Sequence, residues 1–381
     1  MHWTPLPLES PLSAYAAQAT ALLDSWRAGD AEAIRTFKER HPRFLREDVA
    51  WLPRPVSAAD IAAAALDETD ARLATARSYD FADWDRLADF VSAMQDHDGP
   101  AARFERAVEW VVDGDLAALG AAIAADPALV HARSTRVTHF DPPEHRAMLL
   151  HYVAANGVEG YRQRTPANAV RVATLLLEAG ADPDALAYLY GGGCTTMSLL
   201  VSSGHPAKAG VQTALVDVLV DHGAAVEPSV HGAWTSPLIT ALTFGYLDAA
   251  RTLVRRGARV ETLPAMAGLG LVDDMVRALP SATPDARHRA LALAAQLGQI
   301  DAVRVLLDAG EDPNRYNPPQ AHSHATPLHQ AISSGHLDMV RLLVQRGADV
   351  NIRDTLFEGT ALGWAEYLDQ RDIAAYLRTL G

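Results

Sequence analysis

The chain has 381 residues, a formal net charge of −14 and a single cysteine. At roughly 150 residues per domain the length predicts two or three domains, and a composition that is 49% hydrophobic supplies a core. The acidic balance argues against a protein that wraps nucleic acid or an anionic membrane, Cys194 alone excludes an intramolecular disulfide framework and a Cys-based zinc site, and no apolar run approaches the roughly 20 residues of a bilayer span.

Met1 to Ser10 (MHWTPLPLES) has neither a basic start nor an apolar stretch, so no secretory signal is visible and a cytoplasmic location is expected. Two lysines, Lys38 and Lys208, against many arginines, together with abundant alanine, fit codon bias in a GC-rich bacterial genome. The first hundred residues read as helices over Leu12 to Ala28, Asp30 to Arg40, Ser57 to Leu66, Glu68 to Arg77 and Asp83 to Met94. Pro53, Pro55 and Gly99–Pro100 punctuate them, and Tyr79, Phe81 and Trp84 crowd one helix junction.

From about residue 101 the chain repeats itself. The clearest unit is Thr326 to Asn351, TPLHQAISSGHLDMVRLLVQRGADVN. Thr326 can cap a helix and Pro327 sits where a missing N–H costs nothing. Leu328, Ala331 and Ile332 share one face. Gly335 permits a tight turn, Met339, Leu342 and Leu343 form a second apolar stripe, and Gly347 ends it. With the 12-residue spacing of these two glycines as a ruler, the pattern recurs at Gly245 and Gly257 and at Gly298 and Gly310. Gly157 and Gly180, 23 apart, and Gly204 and Gly223, 19 apart, mark the same unit with residues inserted between its helices. Arg103 to Ala132 is a divergent first copy, Leu263 to Pro280 a stripped one, and Thr360 onward a last one in which Asp369 replaces the turn glycine.

This TPLH opening, glycine turn, second helix and GAD-type end resemble an ankyrin repeat. ARLATARSYDFADWDRLADFV is similar to a helical module that often precedes bacterial ankyrin arrays. The resemblance implies an all-α ankyrin-repeat solenoid of helix–turn–helix units with β-hairpin finger loops, about eight repeats over residues 101–381. Residues 1–98 are expected to form an N-terminal helical module that caps the array, because terminal repeats expose apolar faces. In this family the concave face and the finger tips commonly bind protein partners.

Departures from regularity cluster in the first three repeats. A long finger carries Thr138 to Arg146 (THFDPPEHR), the second repeat inserts residues around Tyr161 to Asn168, the third inserts Pro206 to Gln212, and the finger AYLYGGGCTT spans Ala187 to Thr196. Stacked neighbours place the two insertions together and the two long fingers together. The resulting ridge offers Phe140, Tyr161, Arg162, Arg164, Tyr188 and Tyr190, residue types that anchor interfaces. On the concave side the candidates are Asn156, Ser202, Ser203, Phe244, Gln296, Ser333 and Ser334, and the fingers add His231, Trp234, Tyr316, His322, His324 and Phe357.

Readings that would imply chemistry are weaker. Gly191–Gly192–Gly193 before Thr195 lacks the lysine of a phosphate loop and reads as a finger and helix cap. Cys194 reads as a finger residue; a nucleophile would need a base and a depressed pKa. His322, His324 and His329 lose a metal ligand because His329 belongs to TPLH, and His131, His139, His145 and His151 are spread along a loop. No cofactor, metal or catalytic set is expected. The function expected is a protein–protein interaction scaffold without catalysis of its own. The alternative is a small-molecule binder or enzyme whose pocket is built by the repeat 1–3 insertions from His139, Asp141, His145, His151, Tyr161, Arg164, Tyr190 and His205.

Overall fold

The computed structural model describes residues 3–49, 51–227 and 236–380. The chain packs as two units, Met1–Ala224 and Ala225–Gly381. The first opens with helices Leu12–Arg27, Ala31–Arg40, Ala58–Ala62, Glu68–Ser78 and Trp84–Met94. Asp30, Ser57, Asp67 and Asp83 cap four of these, each carboxylate or hydroxyl accepting a backbone N–H of the first turn. The third helix stops at Ala62, four residues short of the predicted end. Leu66 turns into the core instead, and Asp67 is held in a reciprocal capping box with Asp70 that a longer helix would dismantle. Two apolar clusters result. One gathers Leu22, Leu23, Trp26, Phe37, Phe44 and Ile61; the other gathers Tyr15, Tyr79, Phe81, Leu87 and Val91, with Trp3, Leu6 and Tyr161 packed against it.

Paired helices follow. In the first unit they are Pro100–Asp113 with Leu116–Ala125, Leu149–Val153 with Ala169–Glu178, and Thr196–Leu200 with Gln212–Asp221. In the second unit they are Pro237–Thr243 with Leu247–Arg255, Leu263–Leu269 with Val272–Ala278, Pro284–Gln296 with Ile300–Asp308, Pro327–Ser333 with Leu337–Gln345, and Ala361–Tyr367 with Arg371–Arg378. The Gly204 ruler fails in the third pair. Gly204 starts a short helix, Gly204–Lys208, that absorbs part of the insertion, and Gly210 makes the turn at φ +70°. Asp369 takes the turn of the last pair at φ 52°, as its replacement of glycine predicts.

The turns need glycine for space as well as for dihedral angle. A Cβ on Gly298 (φ +70°) would stand 3.1 Å from the ring of His336, and one on Gly335 (φ +74°) 3.1 Å from the Gln370 side chain. Both neighbours start the second helix of the following pair, so each turn seats the next pair.

Fingers are tied to the helix that precedes them. His151 Nε2 meets the Ala185 carbonyl at 3.0 Å, His288 Nε2 the Arg315 carbonyl at 3.2 Å and His329 Nε2 the Gly359 carbonyl at 3.2 Å. Nδ1 of His151 and of His329 accepts the backbone N–H three residues earlier, closing the helix N-terminus. His151 is therefore the structural histidine of its repeat, not a loop residue, although Met148–Leu149–Leu150 hides the TPLH pattern.

Gly298→Ala is expected to destabilise the chain by about 1–2 kcal/mol from backbone conformation, and further by the clash with His336. Gly310→Ala, at φ +90° with open space around it, bears only the backbone cost. Urea unfolding of the intact chain should show the larger loss at Gly298.

Candidate protein-interaction surface

The repeat 2 insertion does not stand free. It closes over four buried charges supplied by three segments. Glu105 comes from helix Pro100–Asp113, Arg136 from the finger that follows the first pair, and Glu159 and Arg162 from the insertion. Arg136 donates from Nε to both Glu105 oxygens at 3.2 and 3.1 Å, and from Nη2 to Glu105 at 3.0 Å and to the Tyr161 hydroxyl at 2.9 Å. Arg162 donates to Glu105 at 2.6 Å and to Glu109 at 2.8 Å. Glu159 takes Arg136 at 3.4 Å, His145 Nε2 at 3.2 Å and the Tyr152 hydroxyl at 3.4 Å. Burial opposes ionisation of Glu105 and Glu159, yet the two guanidinium groups hold both carboxyls below the usual range.

Two sequence expectations are corrected here. Arg162 is fully buried and has no surface to offer a partner. Tyr161 is partly buried, its ring edge-on to Tyr79 at 5.6 Å; burial pushes its phenol up to about 12 against the pull of Arg136 and Arg162. Arg164 remains partly exposed, but it is engaged with Asp113 at 2.6 Å and Glu109 at 3.3 Å. The same region fastens the N-terminal helices. Asp80 accepts the Gly160 N–H at 2.6 Å, Phe81 bridges Thr138, and the Arg136 guanidinium lies 4.2 Å from the Phe90 ring centre and 4.8 Å from that of Phe81. Burial raises the Asp80 carboxyl to about 6.

The long fingers do lie together, the Tyr188 N–H donating to the His145 carbonyl at 2.8 Å. β1 (Ala187–Leu189) and β2 (Gly192–Cys194) form an antiparallel hairpin around Tyr190–Gly191, so Gly191 serves the turn, Gly192 and Gly193 open β2, and Thr195 caps the next helix. Cys194 is buried, with its thiol pushed up to about 11, the opposite of an activated nucleophile. Phe140, Tyr188 and Tyr190 are 43%, 45% and 56% exposed, enough to meet a partner. The Tyr190 hydroxyl donates to Asn156 Oδ1 at 2.8 Å, which holds the ring over the inner helix. The polar groups weighed for a ligand pocket do not converge. His145 and His151 are consumed by structural hydrogen bonds, Asp141 and His205 are exposed, and Tyr161 and Arg164 line a shared cavity.

In the second unit Tyr316 is 42% and Phe357 55% exposed. Tyr316 donates its hydroxyl to the Arg353 carbonyl at 2.7 Å. Asp354 shapes the neighbouring finger by accepting from the N–H of Leu356, Phe357 and Gly359 and from Trp364 Nε1. Rings then run in series. Phe244 contacts His322 at 6.1 Å, His322 contacts His324 at 6.3 Å, and His324 lies 5.8 Å from Phe357 and stacks on Trp364 at 6.0 Å. His322 also bonds the Thr243 carbonyl at 2.9 Å. The sequence reading missed Trp364, whose only signal is an aromatic on the inner helix one turn past the Thr360 cap. Phe244 is partly buried, Ser333 and Ser334 are exposed, Asn156 and Ser203 bond neighbouring repeats, and Gln296 bonds the Thr243 carbonyl two pairs earlier. Trp234 and His231 lie outside the described residues.

The family described as Ankyrin repeats (3 copies) matches residues 265–354 and 291–381. Cyclin-dependent kinase 4 inhibitor B of Bos taurus is 33% identical over 117 residues, 23% of this chain and 88% of that protein. The chain belongs to the ankyrin-repeat family. Ankyrin repeat-containing protein P1E11.10 of Schizosaccharomyces pombe is 44% identical over 62 residues, 16% of this chain; the chain spans 28% of that protein's length. The human ASB11 ankyrin repeat domain aligns over 71% of this chain and 96% of its own, at 21% identity and a TM-score of 0.36. Ankyrin repeats are protein–protein interaction modules. Among the described residues no helix of this ankyrin-repeat chain is long and apolar enough to cross a membrane.

Arg162→Met is expected to cost about 3–5 kcal/mol by stranding buried carboxylates, whereas Arg164→Met at an exposed pair costs about 0–1 kcal/mol. Thermal unfolding of the two variants separates these cases. Acid sensitivity follows from His139 and His151, which burial lowers to about 4. The unfolded chain protonates both near 6.5, so stability falls as pH drops from there to about 4. Asp80 opposes this, because the folded chain takes up that proton near 6 and the unfolded chain near 3.8. Two histidines against one aspartate leave a net decline, and His151→Gln should make the pH dependence of the urea midpoint shallower.

Proposed function

We propose that the chain is a protein-interaction scaffold that docks a protein partner through its finger tips and concave faces. The observation that carries this reading is a set of exposed aromatic side chains on fingers held in place by hydrogen bonds: Tyr188 and Tyr190 in the first unit, Tyr316 and Phe357 in the second. Such rings bring large contact area, and their prior ordering lowers the entropy lost on docking. The net charge of −14 favours a neutral or basic partner and an association rate that slows with salt. Residues 1–98 serve this scaffold as the cap of its first repeats, supported by the seating of Phe81 and Phe90 on Arg136.

The test is a tagged pull-down from the source cell with quantitative mass spectrometry. Three chains are compared: the unaltered one, Tyr188→Ala/Tyr190→Ala and Tyr316→Ala/Phe357→Ala. A specific protein recovered by the first should drop by about tenfold, on the order of 1.4 kcal/mol, in at least one variant with unchanged circular dichroism. Equal recovery of every captured protein by all three would end the finger-docking reading.

A further inference from the structure

The backbone of the N-terminal segment is held by side chains in place of a helix or strand. Residues 3–7 are in neither, and Pro5 and Pro7 each remove a backbone donor and fix φ. The Leu6 N–H donates to the Tyr79 hydroxyl at 2.8 Å, that hydroxyl donates to Gln18 Oε1 at 2.9 Å, and Gln18 Nε2 donates to the Thr4 carbonyl at 3.0 Å. Trp3 meets Tyr79 edge-on at 5.3 Å, and Tyr15 meets it at 5.1 Å. Leu6 packs inward on this cluster while Pro5 and Pro7 are exposed.

The fit is incomplete. A cavity of about 340 Å³ lies against the segment, lined by Leu6, Leu8, Tyr15, Phe90, Tyr161 and Arg164. Tyr15 is 2% exposed and lines this cavity. Space beside the segment forfeits packing that a better-fitting occupant would recover.

We propose that the recess of Tyr15, Tyr79 and Tyr161 is a docking site for a proline-rich peptide segment of another protein, with Pro5-Leu6-Pro7-Leu8 as its resident occupant. Aromatic-lined grooves suit such segments because proline-rich backbone is already extended and loses little entropy on docking. Tyr79 and Gln18 read one N–H and one carbonyl of the segment. The cavity takes a side chain bulkier than Leu8. The resident segment holds the site through its high effective concentration, not through full complementarity. This site is separate from the finger surface, and either can fail alone.

The probe is a fluorescent synthetic peptide with the sequence of Trp3 to Leu12, titrated by anisotropy against the full chain. Leu6→Asp, which loosens the resident segment, should bind the peptide about tenfold more tightly than the unaltered chain, since the tethered competitor is removed. Replacing both prolines of the Pro-Leu-Pro-Leu motif in the peptide by alanine should weaken binding to this variant several-fold. Absence of binding by a Leu6→Asp chain with unaltered circular dichroism, or equal binding of the alanine peptide, overturns the proposal. Should Leu6→Asp misfold, the unaltered chain is photo-crosslinked to a peptide carrying benzophenone at the Leu8 position. Adducts on Tyr15, Tyr79 or Tyr161 support the site; adducts only elsewhere, or none, overturn it.

Discussion

Four buried charges decide how the first unit is put together. Glu105, Arg136, Glu159 and Arg162 come from a helix, a finger and an inter-helix insertion, and each loses its water on folding. Taking an ion out of water costs several kcal/mol, so such a set is tolerable only when every member finds its partners. That requirement locks three segments into one arrangement. The N-terminal helices then attach to its outer side, with Phe81 and Phe90 facing the Arg136 guanidinium and Asp80 receiving the Gly160 N–H. The recess beside residues 3–8 is a consequence, because Tyr161 is held there by its bond to Arg136.

The regular pairs follow a different rule. Turn glycines such as Gly270, Gly298 and Gly335 leave room for the residue that opens the next pair's second helix, and a histidine near the start of an inner helix reaches the carbonyl of the finger ahead. Both devices act only between neighbours, the pattern expected of a repeat protein. They leave the finger tips ordered but unburied, which is where Tyr188, Tyr190, Tyr316 and Phe357 stand. A scaffold stabilised from within its repeats can vary those tips at small cost to its fold.

Much of the repeat pattern is legible in the sequence, because its signals are local. A capping Thr, an N-terminal proline, a helical stripe and a turn glycine each act within one turn of chain. Reading failed where one residue type serves two local purposes. Gly204 looked like a turn glycine and starts a helix, and Met148-Leu149-Leu150-His151 carries the histidine of the motif without its Thr and Pro. It failed more completely at the insertion, where Tyr161 and Arg162 have the composition of an interface anchor, yet Arg162 is fully buried and Tyr161 packs against the core.

By itself the sequence determined the helix–turn–helix units, their caps, their ankyrin character and the acidic balance that disfavours nucleic acid. These depend on dihedral preference, hydrophobic period and total charge, all properties of neighbouring residues or of composition. Only the tertiary structure decided which arginines are buried, which tyrosines remain free and where a cavity is left. Arg136 finds Glu105 across 31 residues of chain and Arg162 finds it across 57, and no local preference encodes a pairing at that range.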